Sequence, residues 1–231
     1  MKVITNTNLV KKNKRIGQIT SMVSLVILAA GLYLSMFKTD LLLYSFIALI
    51  VGFLLSQVGI YYGSRWGKSP RPDEVISASL KGLDDKYTLY HYSLAVPHLL
   101  IGPAGIWIIS PYSQGGTISY DENKGRWKQK GGNAYMKIFG QESLGRPDLD
   151  IQAYKHDMEK FFTKNLDLKE KPEINSVIVF TNEKTQVSVK ESPVPTVPVS
   201  KLKDFFRKKA KEHINSSEQI TKIQELFSNM A

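Results

Sequence analysis

The chain contains no cysteine. That excludes a disulfide framework, a thiolate zinc site and a cysteine nucleophile. Histidine is scarce, with four in 231 residues, and His91, His156 and His213 show no metal-ligand spacing with one another. Acids are almost missing from the first 64 positions. Asp40 stands alone there against Lys2, Lys11, Lys12, Lys14, Arg15 and Lys38. There is no P-loop, no dinucleotide fingerprint and no nucleophile elbow, so neither nucleotide binding nor Ser-His-Asp catalysis has sequence support. Internal repeats and low-complexity tracts are also absent.

What is present begins with two long apolar runs, Gly17–Phe37 and Leu41–Tyr62, neither of which holds a charged side chain. Each exceeds the roughly 18–20 apolar residues that a helix needs to cross about 30 Å of hydrocarbon. Only "KTD" separates them, which predicts a tight antiparallel helical hairpin. A cleaved signal peptide is the competing account of the first run. The run's length and the second span that follows at once argue against it. Lys11, Lys12, Lys14 and Arg15 flank the first span, and Arg65, Lys68 and Arg71 follow the second. The positive-inside rule therefore places both termini in the cytoplasm of a two-span cell-membrane protein. Tyr33, Tyr44, Tyr61, Tyr62 and Trp66 are expected as interfacial anchors. Gly59 with Gly63, and Gly52 with Ser56, have the spacing of small-residue contacts within the hairpin.

The formal net charge is +10 and the sequence pI about 9.5. Half of the excess lies before residue 65, where a membrane explains it better than nucleic acid does. The divisions expected are a basic cytoplasmic arm (1–16), the transmembrane hairpin (17–62), a Pro/Gly/Ser-rich linker (63–72), an α/β domain (73–199) and C-terminal helices packing on it (200–231).

Within the soluble part, Asp73 caps a helix whose apolar stripe is Val75, Ile76, Leu80 and Leu83. "KYTLYHYSLAV" reads as a strand. "HLLIG" and "GIWIIS" read as short strands around "GPAG", whose glycines are expected to supply positive φ. "GTISYDENKGRWKQ" is a hairpin turning at "DENKG". A helix from about Asp148 to Asn165 turns Ile151, Tyr154, Met158, Phe161 and Phe162 inward. "INSVIVF" has the continuous apolar character of a strand buried on both faces. Two closing helices carry Leu202, Phe205, Phe206 and Ala210, then Ile220, Ile223, Leu226 and Phe227. The fold class is α/β with a mixed central sheet.

The order of these elements, from about Glu74 to Val199, resembles the nuclease-related domain (NERD) family, which is similar to restriction-endonuclease-like PD-(D/E)xK folds. The resemblance rests on Glu74 opening the first helix, on "GPAGIWII", on the following "GTI", and on Trp127 in the next hairpin. It rests further on "RPDLDIQAYKHDMEKFF" with Gln152 at the matching place, and on "SVIVFTN". It implies a restriction-endonuclease-like mixed-sheet domain after the hairpin. In such a site an Asp and a Glu hold Mg²⁺, which activates water, and a Lys two residues beyond the Glu shares its sheet face.

The family positions depart from that chemistry. The family's Asp-His falls on Pro97-His98, and its Glu-x-Lys on Ser110-Pro111-Tyr112. Proline has no ligand atom, and neutral hydroxyls are poor Mg²⁺ ligands. Glu74 and Gln152 survive, but one carboxylate and one amide make a weak hard-metal site. The expectation is a membrane-anchored NERD-like protein without nuclease activity, metal or small-molecule cofactor. It would act as a binding module for a membrane-protein partner or for nucleic acid. An active Mg²⁺-dependent nuclease with ligands rearranged to Glu74, Asp121 and Glu122 is the enzymatic alternative. A structural accessory subunit of a membrane complex is the third. Lys124, Arg126, Lys128 and Lys130 alternate along one hairpin strand and form a candidate phosphate-tracking stripe, against the alternative of a solvated edge. His98 is expected to be a satisfied core or surface histidine rather than a ligand. The basic helix "KLKDFFRKKAKEH" is expected to pack its phenylalanines inward and turn its lysines outward, toward an anionic leaflet.

Overall fold

The computed structural model describes residues 1–132, 144–165, 172–189, 192–212, 223–224 and 227. It comprises two units, one of residues 7–71 and the other of residues 1–6 together with 72–231.

The first unit is the helical hairpin. Helix α1 spans Thr7–Phe37 and α2 spans Leu42–Tyr62, joined through a 3-10 turn at Thr39–Leu41. Both are long and apolar enough to cross a membrane. At 1.5 Å per residue α1 is about 46 Å long, more than one hydrocarbon core requires. Apart from Val10 near the start of α1, the buried residues of the two helices are small and recur every seventh position. They are Gly17, Ser24 and Gly31 on α1, and Ser45, Gly52 and Gly59 on α2. A Cβ on Gly52 would lie 2.8 Å from Leu28 Cγ, and one on Gly17 would lie 2.9 Å from Tyr62 Cβ, so the backbones need glycine to approach this closely. Ser45 Oγ donates across the seam to the Gly31 carbonyl at 2.7 Å. Large side chains such as Met22, Leu25, Leu43 and Phe53 are exposed on the outside.

Two expected contacts differ. Nothing lies within 4 Å of a Cβ placed on Gly63, and Ser56 bonds its own helix at the Phe53 carbonyl. The seam follows a seven-residue period, which keeps one face of a gently coiled helix toward its partner. Trp66, expected as an interfacial anchor, is buried within the π-type turn Gly63–Gly67 that ends the hairpin.

The second unit is a mixed α/β layer structure. Its main sheet has the order β1-β2-β3-β4-β7-β9. The strands are β1 (Lys2–Thr5), β2 (Thr88–His91), β3 (His98–Gly102), β4 (Gly105–Tyr112), β7 (Ile174–Phe180) and β9 (Thr196–Pro198). A smaller sheet, β6-β5-β8, consists of β5 (Gly116–Asp121), β6 (Arg126–Lys130) and β8 (Thr185–Val187). Helix α3 (Pro72–Ser79) and helix α5 (Leu202–Glu212) cover one face of the main sheet, through Ile76, Leu202 and Phe206, with Leu80 just beyond α3, against Leu89, Leu100, Trp107 and Ile109. Helix α4 (Pro147–Asn165) covers the other, through Met158 and Phe162 against Leu99, Ile101, Ile106 and Ile108. Alternate residues of β4 thus serve opposite cores, which is why it reads as an unbroken apolar run.

Three expectations are corrected here. Residues 1–16 are not an arm. Lys2–Thr5 form the edge strand of the main sheet, parallel to β2, and α1 begins at Thr7. The chain therefore leaves the globular unit after six residues and re-enters it at Pro72, so a hairpin that crosses a membrane twice returns to the side it came from. The strand expected over "KYTLYHYSLAV" ends at His91, because Tyr92 turns with φ 57° and its N–H is taken by the Pro97 carbonyl at 2.8 Å. In "GPAG" only Gly105 has positive φ (97°). Gly102 is required for another reason, since any Cβ there would collide with the Tyr87 ring. Of the last helix, Ile223 and Phe227 are buried against Tyr90 and Phe162, and Ile220 and Leu226 lie outside the described residues.

Candidate functional site

Of the positions singled out by the resemblance, Ser110 and Tyr112 lie at the C-terminal end of β4. Side chains on that strand alternate, so Ser110 and Tyr112 share the face covered by α4. Ser110 is buried. Tyr112 is half-buried and packs on Phe180, with ring centroids 6.0 Å apart. Its Oη donates to Asp150 Oδ2 of α4 at 2.7 Å. Burial, then the Asp150 carboxylate, push the Tyr112 phenol far above its ordinary range, while the neighbouring Ser110 hydroxyl acts in the other direction. The phenol therefore stays neutral and is a donor, not a ligand. Pro97 precedes β3 and its carbonyl closes the preceding loop.

Glu74 and Gln152, the two further residues on which the resemblance was expected to rest, lie elsewhere. Glu74 lies in the first turn of α3, the helix on the opposite face of the sheet. Gln152 is exposed on α4. Sequence reasoning missed Asp150, the partner of Tyr112. Its signal was position alone: the N-terminal turn of α4 is where a carboxylate is favoured, and it comes to the end of β4 only through long-range packing.

Of the residues of the alternative nuclease reading, Glu74 opens α3, Asp121 ends β5 and Glu122 follows it in the turn. No group of three or more His, Cys, Asp or Glu that could hold a metal ion occurs among the described residues. Asp121 instead closes the β5–β6 turn. Its Oδ1 accepts the Lys124 N–H at 3.2 Å, and its Oδ2 pairs with Lys128 Nζ at 2.6 Å. The bond from Lys128 holds the Asp121 carboxyl below its ordinary range.

The basic stripe is placed as the alternation predicts, with one change. Arg126, Lys128 and Lys130 are exposed on β6, and Trp127 between them is buried beside Tyr120. Lys124 belongs to the turn and not to the strand. Within the stripe Lys128 is the residue held by Asp121. On α5, Phe206 is buried and Phe205 stacks edge-on against Trp107 at 5.3 Å, so both serve the core.

A second polar group lies under α3. His91 and His98 are cross-strand partners at the joined ends of β2 and β3, and both are buried. Their Nδ1 atoms are 2.8 Å apart. His91 Nε2 lies 2.9 Å from Ser77 Oγ of α3. His98 is thus a buried, hydrogen-bonded core histidine. The sequence carried no sign of its link to His91, because the two rings meet only through the strand register. The chain Ser77–His91–His98 has the connectivity of a hydroxyl, a base and a group that orients the base. Ser77 is nevertheless within a regular helix, and both imidazoles are sealed from solvent.

Comparison with family models, with curated proteins and with solved structures returned no match.

Proposed function

We propose that this chain is a membrane-anchored, cytoplasm-facing binding module built on a NERD-like, restriction-endonuclease-like domain that does not cleave nucleic acid. The observation that carries the reading is the bond from Tyr112 to Asp150. It puts a neutral phenol and a neighbouring hydroxyl where the resemblance requires a Glu-x-Lys pair, and a neutral phenol neither holds a divalent cation well nor activates water. The outward apolar side chains of the hairpin support anchoring. The cations at Lys11, Lys12, Lys14 and Arg15 and at Arg65, Lys68 and Arg71 support a cytoplasmic globular unit.

The direct test is incubation of the full chain, in lipid nanodiscs, with plasmid and single-stranded DNA in Mg²⁺ or Mn²⁺. The expected result is intact nucleic acid. Metal-dependent cleavage that disappears in Glu74→Ala would establish the enzyme instead.

The exposed cations of β6 favour nucleic-acid backbone as the ligand over a protein partner. On that reading a gel shift weakens steeply with salt and weakens again in Arg126→Gln/Lys130→Gln. Absence of any shift at low salt, together with copurification of a stoichiometric membrane protein, would favour the accessory-subunit role.

A further inference from the structure

We propose that the first turns of α1 form a binding site for anionic phospholipid headgroups, made by Lys11, Lys12, Lys14 and Arg15. The site rests on the anchoring part of the reading above and on nothing in the globular unit.

The register of the hairpin sets the depth of these cations. A Cβ on Gly17 would meet Tyr62 and Gly63, and one on Gly59 would meet Ser21. Gly17, where the first apolar run begins, is therefore level with Tyr62, where the second ends. Both legs leave the hydrocarbon at one height. Helix α1 does not stop there, because it is continuous from Thr7. At 1.5 Å per residue, Lys14 and Arg15 lie about 3–5 Å beyond Gly17, and Lys11 and Lys12 about 8–9 Å beyond it. The headgroup layer of one leaflet is about 5–8 Å deep. The four cations thus stand in the layer that holds the lipid phosphates.

Their arrangement is one-sided. At about 100° per residue, Lys14, Lys11, Arg15 and Lys12 follow one another around roughly 160° of the helix. All four are exposed. The rest of the circumference carries Leu9, Asn13 and Ile16, which are half-buried, and Val10, which is buried. Orientation in the membrane requires the charges but no particular side. A stripe presents several charged N–H donors to neighbouring phosphates at once.

The backbone beneath the stripe is held. Val10 precedes Gly17 by seven residues and Trp66 follows Gly59 by seven, and both are buried. The seam therefore continues past the hydrocarbon into the turn Gly63–Gly67, which packs on α1. That turn brings Arg65 to the same layer, its guanidinium 6.0 Å from the centre of the Trp66 ring. Asp40, the one acid before Asp73, is in the turn at the opposite end of the hairpin. The layer is cationic, and a bilayer offers it phosphate. A zwitterionic headgroup sets an ammonium beside that phosphate and a net-anionic one does not, so the site favours the anionic lipid.

The test is electron paramagnetic resonance of the full chain in phosphatidylcholine nanodiscs that carry spin-labelled phosphatidylglycerol or spin-labelled phosphatidylcholine. A single cation near an anionic surface is worth about fivefold in affinity. The protein-bound fraction should favour phosphatidylglycerol by about that factor or more at low salt, and by less at about 0.5 M salt. Lys11→Gln/Lys12→Gln/Lys14→Gln/Arg15→Gln should bring the two lipids near parity, whereas Lys38→Gln, at the other end of the hairpin, should not. Lys11→Gln/Asn13→Lys keeps the net charge and breaks the stripe, and should lose about half of the preference. A wild type with no headgroup preference overturns the proposal, and that result needs no variant. A Lys11→Gln/Asn13→Lys chain equal to wild type also overturns it, because a diffuse field would then suffice. Both outcomes leave the anchoring intact, since the chain is in the bilayer when they are read. A chain that stays soluble without detergent or lipid overturns the anchoring, and the site with it.

Discussion

The hairpin and the globular unit bury opposite things. Between α1 and α2 the inside is Gly17, Ser24, Gly31, Ser45, Gly52 and Gly59, and the outside is Met22, Leu25, Leu43 and Phe53. In the globular unit the inside is Tyr90, Phe180 and Phe206, and cations such as Arg126 and Lys130 face out. One chain thus obeys two packing rules, and the difference teaches what each surface is built to meet. In water, removing apolar area contributes roughly 25 cal/mol per Å², so large side chains go inside. In lipid that gain vanishes, and helices associate through close backbone approach and interhelical hydrogen bonds.

Mutations can break or sharpen this contrast. Phe206→Ala should cost the globular unit about 3–5 kcal/mol, whereas Leu25→Ala on the outer face of the hairpin should stay within about 0.5 kcal/mol. Denaturation in nanodiscs followed by near-ultraviolet circular dichroism compares them, and similar losses would end the distinction. Gly102→Ala drives a methyl into the Tyr87 ring and should destabilise by about 1–3 kcal/mol. Gly63→Ala, with nothing near its Cβ, should leave the melting temperature unchanged.

Single hydrogen bonds should differ less between the regions. Ser45→Ala removes the bond to Gly31 across the hairpin and should cost about 0.6 kcal/mol, with an upper range near 1.7. Tyr112→Phe removes the bond to Asp150 and should cost about 0.5–1.5 kcal/mol. A Tyr112→Phe loss beyond that range would mean that the phenol supports more than Asp150.

The last effect is alkaline. Burial pushes the Tyr90 phenol up to about 12, and Tyr112 is raised further. A folded chain keeps these protons where an unfolded one begins to release them, above about pH 10. Their contribution is complete below pH 10 and is lost as pH rises through the folded value. Absorbance titration at 295 nm should show a late tyrosine step that Tyr90→Phe diminishes.

Local pattern carried a good part of this molecule. The two apolar runs, the β5–β6 hairpin turning at "DENKG", α4 with Ile151, Met158 and Phe162 inward, and the doubly buried β7 were all legible, because each rests on periodicity within a dozen residues. The seven-residue recurrence of small residues was also legible in principle, although the four-residue spacings of Gly59 with Gly63 and of Gly52 with Ser56 do not reveal it. The first strand was not. "KVIT" has no meaning as a strand until β2 offers it an edge more than eighty residues away in sequence.

For the candidate site the division is sharper. Sequence alone determined the side chains at Pro97, Ser110 and Tyr112, and so what the resemblance implies for them, because side-chain chemistry is a local property. Only the tertiary structure decided that Asp150 receives the Tyr112 hydroxyl, that Asp121 is spent on Lys128, and that His91 and His98 share one hydrogen bond. Those pairings depend on strand register and on how a helix crosses a sheet. Both are set by the balance of packing over the whole unit, which no short stretch of the chain contains.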